Sequence, residues 1–252
     1  MTDIPRETRV LDAVVSLVDS LLDDFDVVDL LTDLTEHCAD LLDIDAAGIL
    51  LVDPLHQLRL LAATSEQARE LELFQLLADD GPCLDCYATG ERVSVADLRQ
   101  EADRWPQFVP AAIRVGFASV HAVPMRAAGT VLGALNLFGT RPGELTEADL
   151  LVGQTLTHIA CVAILQEHPP TPVTVLPQLR SALTNRVVIE QAKGLLREML
   201  DISVEEAFQL MRTYARANGE HLSNLARRLM TDRDARPLII VGLAEILSAP
   251  TE

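Results

Sequence analysis

The sequence predicts an α+β domain with an antiparallel central sheet, followed by a small all-α module of three helices. Three observations predict it. Five apolar strand-like runs and interspersed helical patterns fill the first 165 residues, with hairpins at the start and end. Pro169-Pro170-Thr171-Pro172 then makes a short, semi-rigid linker. Beyond it the charge changes: residues 177–233 hold nine basic and seven acidic side chains, about +2 in a chain whose formal charge is −18. The remainder therefore carries about −20, and the C-terminal part is electrically a separate object.

From about Glu7 to Asp43 apolar residues recur at three- and four-residue steps, among them Val10, Leu11, Val14, Val18, Val27, Leu31 and Leu41. This predicts one or two amphipathic helices. The first, within residues 1–24, has little else to pack on and reads either as a dimer helix or as a cap on the domain. Strands are predicted at Ala46–Val52 and Leu58–Ala63, joined by the turn chemistry of Asp53-Pro54-Leu55-His56. A helix over Ser65–Leu77, the loop Asp79-Asp80-Gly81-Pro82, a short helix and a strand at Val93-Ser94-Val95 follow. The stretch through Trp105-Pro106 reads as irregular. Strands at Ser119–Met125 and Val131–Phe138 flank Ala128-Gly129, and a helix over Thr146–Leu165 opens with Thr146 and Asp149 as a capping pair.

Composition removes several classes of function. The apolar runs, such as Ala46–Val52 and Leu238–Ala244, are far shorter than the roughly 18 to 20 residues of a membrane span. The opening Met1-Thr2-Asp3-Ile4-Pro5 lacks the basic-then-apolar pattern of a secretory signal, so a cytoplasmic protein with no membrane partner is expected. Cys38, Cys83, Cys86 and Cys161 are too few and scattered for a disulfide framework. Of 20 basic residues only Lys193 is a lysine, and no glycine-rich loop surrounds it, which excludes a Walker-type phosphate loop. The six histidines show no metal-ligand spacing, and no serine or cysteine has a base and an orienting partner, so no catalytic residue and no metal are predicted.

Asp80-Gly81-Pro82-Cys83-Leu84, Thr89-Gly90-Glu91 and Val131-Leu132-Gly133-Ala134-Leu135-Asn136-Leu137, in this element order, resemble a GAF domain over residues 25–167. The resemblance implies a GAF-like sensor and an unknown small-molecule ligand in a pocket over the sheet, near Gly81 to Tyr87 and Ser119 to Met125. No cofactor is predicted. The Asn-Lys-Phe-Asp-Glu motif of cyclic-nucleotide-binding members does not occur, and no lysine precedes Lys193 to supply it. Cys83 and Cys86 are candidate sensor or redox residues. Their spacing is half a zinc site, and Pro82 in a first helical turn places Cys83 where thiolate is favoured; packing is the competing reading. A thiol oxidoreductase using this pair is the alternative from another functional class.

The C-terminal module spans residues 178–232, after a linker at 168–177 and before a tail helix at 233–252. Its first helix puts Val188, Ile189, Ala192, Leu195, Leu196 and Met199 on an apolar face, with Arg186, Glu190, Lys193 and Arg197 aligned opposite. Ser203 and Glu206 form a capping box for a second helix that buries Ala207, Leu210, Met211 and Tyr214 and exposes Arg212 and Arg216. Asn218-Gly219 ends it. A third helix turns Leu222, Leu225, Ala226 and Leu229 inward and Arg227 and Arg228 outward.

Arg186-Val187-Val188-Ile189-Glu190-Gln191-Ala192-Lys193-Gly194, with Ala207-Phe208, Tyr214-Ala215-Arg216 and Leu225-Ala226-Arg227, resembles the signature of the ANTAR family. That resemblance implies an RNA-binding transcription antitermination regulator that binds paired hairpin loops in nascent RNA, usually as a homodimer. The RNA-binding set is then Arg186, Gln191, Ala192, Lys193, Gly194, Arg197, Arg212, Arg216 and Arg227. Arginine and lysine suit phosphates, Gln191 suits base edges, and Gly194 permits either close approach of RNA or packing on the second helix. Gly219-Glu220-His221 departs from the basic residues that many relatives carry there. Helix-turn-helix DNA binding is the alternative for three short helices. A signal is expected to pass from the sensor through the Thr146–Leu165 helix and the linker.

Overall fold

A computed structural model describes residues 5–22, 25–166 and 175–248. The chain divides into two compact units, residues 1–180 and 181–252.

The first unit opens with two helices, α1 (Arg6–Leu22) and α2 (Val27–Leu41). The carboxylate of Asp26 caps α2, accepting from Val28 N at 2.9 Å and Asp29 N at 3.2 Å. Strands β1 (Ala46–Val52) and β2 (Leu58–Ala63) form the first hairpin. Asp53 Oδ1 organises its turn, accepting from Leu55 N at 2.8 Å and Gln57 N at 2.9 Å. Helix α3 (Glu66–Ala78) is capped by Ser65 and ends at Asp79, which takes the left-handed conformation with φ 50°. Helix α4 (Pro82–Thr89) and strand β3 (Val93–Val95) follow.

The stretch expected to be irregular contains a short 3-10 turn at Leu98–Glu101 and a further helix, α5 (Phe108–Arg114). Asp80 explains α5: its Oδ2 accepts from Gln107 N at 2.7 Å and Phe108 N at 3.0 Å, a cap supplied from 28 residues upstream. Strands β4 (Ser119–Ala127) and β5 (Thr130–Gly139) and helix α6 (Glu147–Gln166) complete the unit. Thr146 and Asp149 bond reciprocally at the start of α6, as the sequence predicts.

The five strands are antiparallel in the order β2-β1-β5-β4-β3. Successive side chains of a strand face opposite sides, and neighbours show the two layers. Asn136 bonds to α3 through Glu72, whereas Leu137 lies against Gly153 of α6. One face thus carries α3, α4 and α5; α6 and α2 cover the other. Helix α6 is, by length and composition, apolar enough to cross a membrane over Glu147–Leu165, but 56% of that stretch is buried inside the protein. Its apolarity is that of a core helix.

Helix α7 runs from Val175 to Leu200, so residues 175–177 of the expected linker belong to a helix, with Pro177 tolerated in its first turn. The rest of that linker, 168–174, lies outside the described residues. In the second unit α8 (Val204–Ala217), α9 (Leu222–Thr231) and α10 (Ala235–Ser248) follow. The capping box of α8 is formed, with Glu206 N donating to Ser203 Oγ at 3.1 Å and Ser203 N to Glu206 Oε2 at 2.8 Å. Gly219, with φ 60°, turns the chain after α8. Ile189, Ala192, Leu196, Met211, Leu225 and Leu229 form the core, and α10 closes it with Ile239 and Leu243. Tyr214 lies so close to Gly242 that a Cβ there would stand 2.6 Å from its ring, so α10 is packed without a gap.

Candidate functional site

In the second unit the predicted charged row on α7 is only partly a solvated face, with Arg197 its exposed member. The side chains of Arg186 and Lys193 are only 14% and 13% exposed. Both converge on Glu190 Oε1, Lys193 Nζ at 3.1 Å and Arg186 Nη2 at 3.7 Å. Lys193 Nζ also sits 5.1 Å from the centroid of the Phe208 ring, with the Arg212 guanidinium 5.7 Å from the same ring. Arg212, expected to be exposed, is 5% exposed. Its long aliphatic stem and planar head fill the space beside Phe208, which apolar periodicity on α8 does not reveal. Ala192 is fully buried and packs in the core.

The accessible polar residues lie elsewhere. Gln191 and Gly194 are exposed, on the side of α7 opposite buried Ile189, Ala192 and Leu196. Its own chain neighbours and helix backbone aside, no atom of the described residues comes within 4 Å of where a Gly194 Cβ would stand, so packing against the second helix does not explain this glycine. Arg197, Arg216, Arg227 and Arg228 are exposed. Arg227 is held in place: its Nη1 donates to Asn224 Oδ1 at 2.9 Å and its Nη2 to Asn185 Oδ1 at 3.1 Å, tying α9 to α7. Both asparagines keep their amide N–H groups for other partners. Asn224 was visible as a neighbour three residues before Arg227; Asn185 was not, because it meets Arg227 across 42 residues. Arg228 is bonded to both carboxylate oxygens of Glu220, at 2.8 and 3.0 Å, so the departure at Gly219-Glu220-His221 neutralises a neighbouring cation.

In the first unit the Asp80–Cys86 segment is mainly a fastener. Asp80 caps α5, and Asp85 Oδ2 accepts from Arg104 at 2.8 Å and from the buried Trp105 indole at 3.3 Å. Cys83 and Cys86 are fully buried. Burial pushes the Cys83 thiol well up and the Cys86 thiol up to about 12, so desolvation overrides any preference for thiolate at the helix start. Among the described residues no group of three His, Cys, Asp or Glu side chains could hold a metal ion.

Beside Cys83 lies a polar cluster that alternation did not reveal. Glu72 of α3 is fully buried; it accepts from Asn136 Nδ2 at 2.7 Å and from Gln75 Nε2, and burial raises its carboxyl to about 7. Gln75 Oε1 accepts from Cys83 N at 3.3 Å. Gly48 makes room for this cluster, since a Cβ would stand 2.5 Å from Glu72 Oε1. The region near Gly81 to Tyr87 expected to hold a ligand thus contains this bonded cluster, joined to it through Cys83 N. A glutamate and a glutamine at core positions of α3 were the signal in the sequence.

A GAF domain family model matches residues 26–165, more than half of the chain. The chain belongs to the GAF domain family. An ANTAR domain follows, matched over residues 177–230. The protein is therefore a regulator that joins a sensory GAF domain to an RNA-binding output domain.

Solved GAF structures share the fold. The GAF domain of an Acinetobacter phosphoenolpyruvate-protein phosphotransferase aligns with TM-score 0.50 and 18% identity, covering 64% of this chain and 95% of that one. The corresponding domain from Coxiella burnetii gives 0.50 and 16%, covering 63% and 94%. Free methionine-R-sulfoxide reductase from Neisseria meningitidis, in complex with its substrate, gives 0.50 and 18%, covering 72% and 96%. No curated protein matches the chain.

Proposed function

We propose that the protein binds hairpin loops in nascent RNA through its ANTAR domain, prevents a terminator from forming, and does so under control of a signal received by its GAF domain. The observation that carries this reading is the ANTAR match over residues 177–230, on a module whose exposed rim holds Gln191, Gly194, Arg197, Arg216 and Arg227. Hairpin loops present unstacked bases and phosphates together. Arg197, Arg216 and Arg227 suit the phosphates, Gln191 and the amides of Asn185 and Asn224 suit base edges, and bare Gly194 lets the nucleic-acid backbone come close. Lys193 and Arg212 support this surface from beneath, by fixing α7 on α8 around Phe208, and Arg186 shares Glu190 with Lys193. Binding to nascent RNA places the protein in the cytoplasm.

The working unit in this reading is a homodimer. Leu11, Val15, Val18 and Leu22 are exposed on α1 at steps of four, three and four. That is the spacing of a helix seam, and an identical helix is complementary to it. Replacing Leu11 and Val18 by glutamate is expected to halve the mass measured by sedimentation equilibrium without lowering helix content. An unchanged mass would remove α1 from the interface.

Selection of RNA from a random pool by the full-length protein tests the function. The expected winners fold into hairpins with shared loop sequences, and Arg197→Ala and Arg227→Ala weaken them. Tighter binding to duplex DNA than to any selected RNA would overturn the proposal in favour of a helix-turn-helix role.

A further inference from the structure

On the α6 face of the sheet, away from the Glu72 cluster, a hollow of about 370 Å³ opens between β3 and the start of α6. Arg92, Ser94, His121, Glu144 and Glu147 line it. A second hollow of about 490 Å³ shares Arg92 and Glu147 with it and continues over Ala148 and Leu151. Leu151 is largely exposed, so this extension offers apolar surface to solvent.

His121 is the unusual member. It is 3% exposed, and its Nδ1 has no hydrogen-bond partner. Burial lowers its pKa, against a backbone bond to Gly143 and the nearby Glu144 charge. Nδ1 is thus a buried ring nitrogen left without a partner, where such groups are nearly always satisfied. Around it, no hydrogen bond or ion pair engages the side chains of Arg92, Ser94, Glu144 or Glu147 among the described residues. Convergent polar groups without partners, around a concave surface with an apolar end, describe a small-ligand site.

We infer that this hollow binds a free α-amino acid with an apolar side chain. A primary ammonium has three N–H donors, and the hollow offers acceptors in the carboxylates of Glu144 and Glu147 and the hydroxyl of Ser94. Arg92, the one cation of the lining, takes the ligand's carboxylate. The apolar side chain lies along Ala148 and Leu151. Two carboxylates against one guanidinium disfavour a purely anionic ligand, and Arg92 disfavours a purely cationic one. Glu147, Ala148 and Leu151 lie in the first turns of α6, the last helix of the GAF domain before the chain continues into the ANTAR domain.

The test needs no RNA, so its failure is separate from failure of the RNA reading. Full-length protein is titrated calorimetrically with each of the natural amino acids, then with 3-methylbutylamine and 4-methylpentanoate, which are leucine without its carboxylate and without its ammonium. Leucine is expected to bind one per chain, with each truncated analogue weaker by about tenfold or more, as loss of one charge-assisted contact implies. Arg92→Ala should abolish the preference for leucine over the amine. Glu144→Gln with Glu147→Gln should weaken leucine and the amine but not the carboxylate. These positions are exposed, and unchanged thermal melting of each variant shows that the fold is intact. Absence of binding by every amino acid at about 10 mM, an affinity weaker than about −3 kcal/mol, overturns the inference. So does leucine binding that is unaffected by the Arg92 and Glu144/Glu147 replacements.

Discussion

Replacing Glu72 by glutamine should remove a pH dependence of stability that the native GAF domain carries. Glu72 is fully buried, and its carboxyl titrates at about 7 in the folded chain against 4.5 for the free side chain. Burial is the main cause; the bonds from Asn136 and Gln75 act in the opposite direction. Between those two values the folded state holds a proton that the unfolded chain has released. The stabilisation is therefore complete below about pH 4.5 and is lost as pH rises to about 7. The gap corresponds to roughly 3 kcal/mol. Glutamine cannot ionise, so the variant should be flat where the native protein weakens. Urea unfolding of both proteins between pH 5 and 8, followed by tryptophan emission, reads this directly, because Trp105 is buried in the same domain. The native protein should lose about 2 to 3 kcal/mol relative to the variant across that range. An equal pH slope in both would show that Glu72 does not titrate there.

Other outcomes follow from the same packing. Buried Cys83 and Cys86, with their thiols pushed up, should resist iodoacetamide at pH 8 and react about tenfold faster or more in denaturant; rapid labelling of the native protein would restore a redox role. Gly48→Ala drives a methyl group into Glu72 and should cost about 1 to 3 kcal/mol by chemical denaturation, whereas a silent substitution would mean that the cluster can move aside. Gly242→Val should loosen α10 from Tyr214 and lower the ANTAR domain's melting temperature; an unchanged melt would make α10 dispensable.

The strands were legible because their runs are apolar and bounded by Asp53-Pro54 and Ala128-Gly129 turns, and the helices because their caps are local. Thr146 with Asp149, and Ser203 with Glu206, each lie three residues apart and form as predicted. Helix α5 was not legible, since its cap comes from Asp80 across 28 residues. The same reason hid the Glu72–Asn136 bond and the hold of Asn185 on Arg227, which span 64 and 42 residues. On α7 the helical spacing aligned Arg186, Glu190, Lys193 and Arg197 on one side, but that side flanks the buried face, opposite which stand Gln191 and Gly194. The spacing could not say that Phe208 and Arg212 of α8 cover part of that side, because long cationic stems pack as apolar groups do. Cys83 illustrates the converse: the local rule for a helix start favours thiolate, and burial in the tertiary structure reverses it.

RNA recognition by the exposed rim, rather than by the covered cations Arg186, Lys193 and Arg212 beneath it, is the central claim. Affinity for one selected hairpin, measured against salt concentration for the native protein and for Arg197→Ala and Arg227→Ala, tests it most directly. Each exposed arginine that touches phosphate should reduce the slope of log affinity against log salt by about 1, with hairpin RNA preferred over duplex DNA throughout. Native slopes in both variants, or preference for the duplex, would contradict the account.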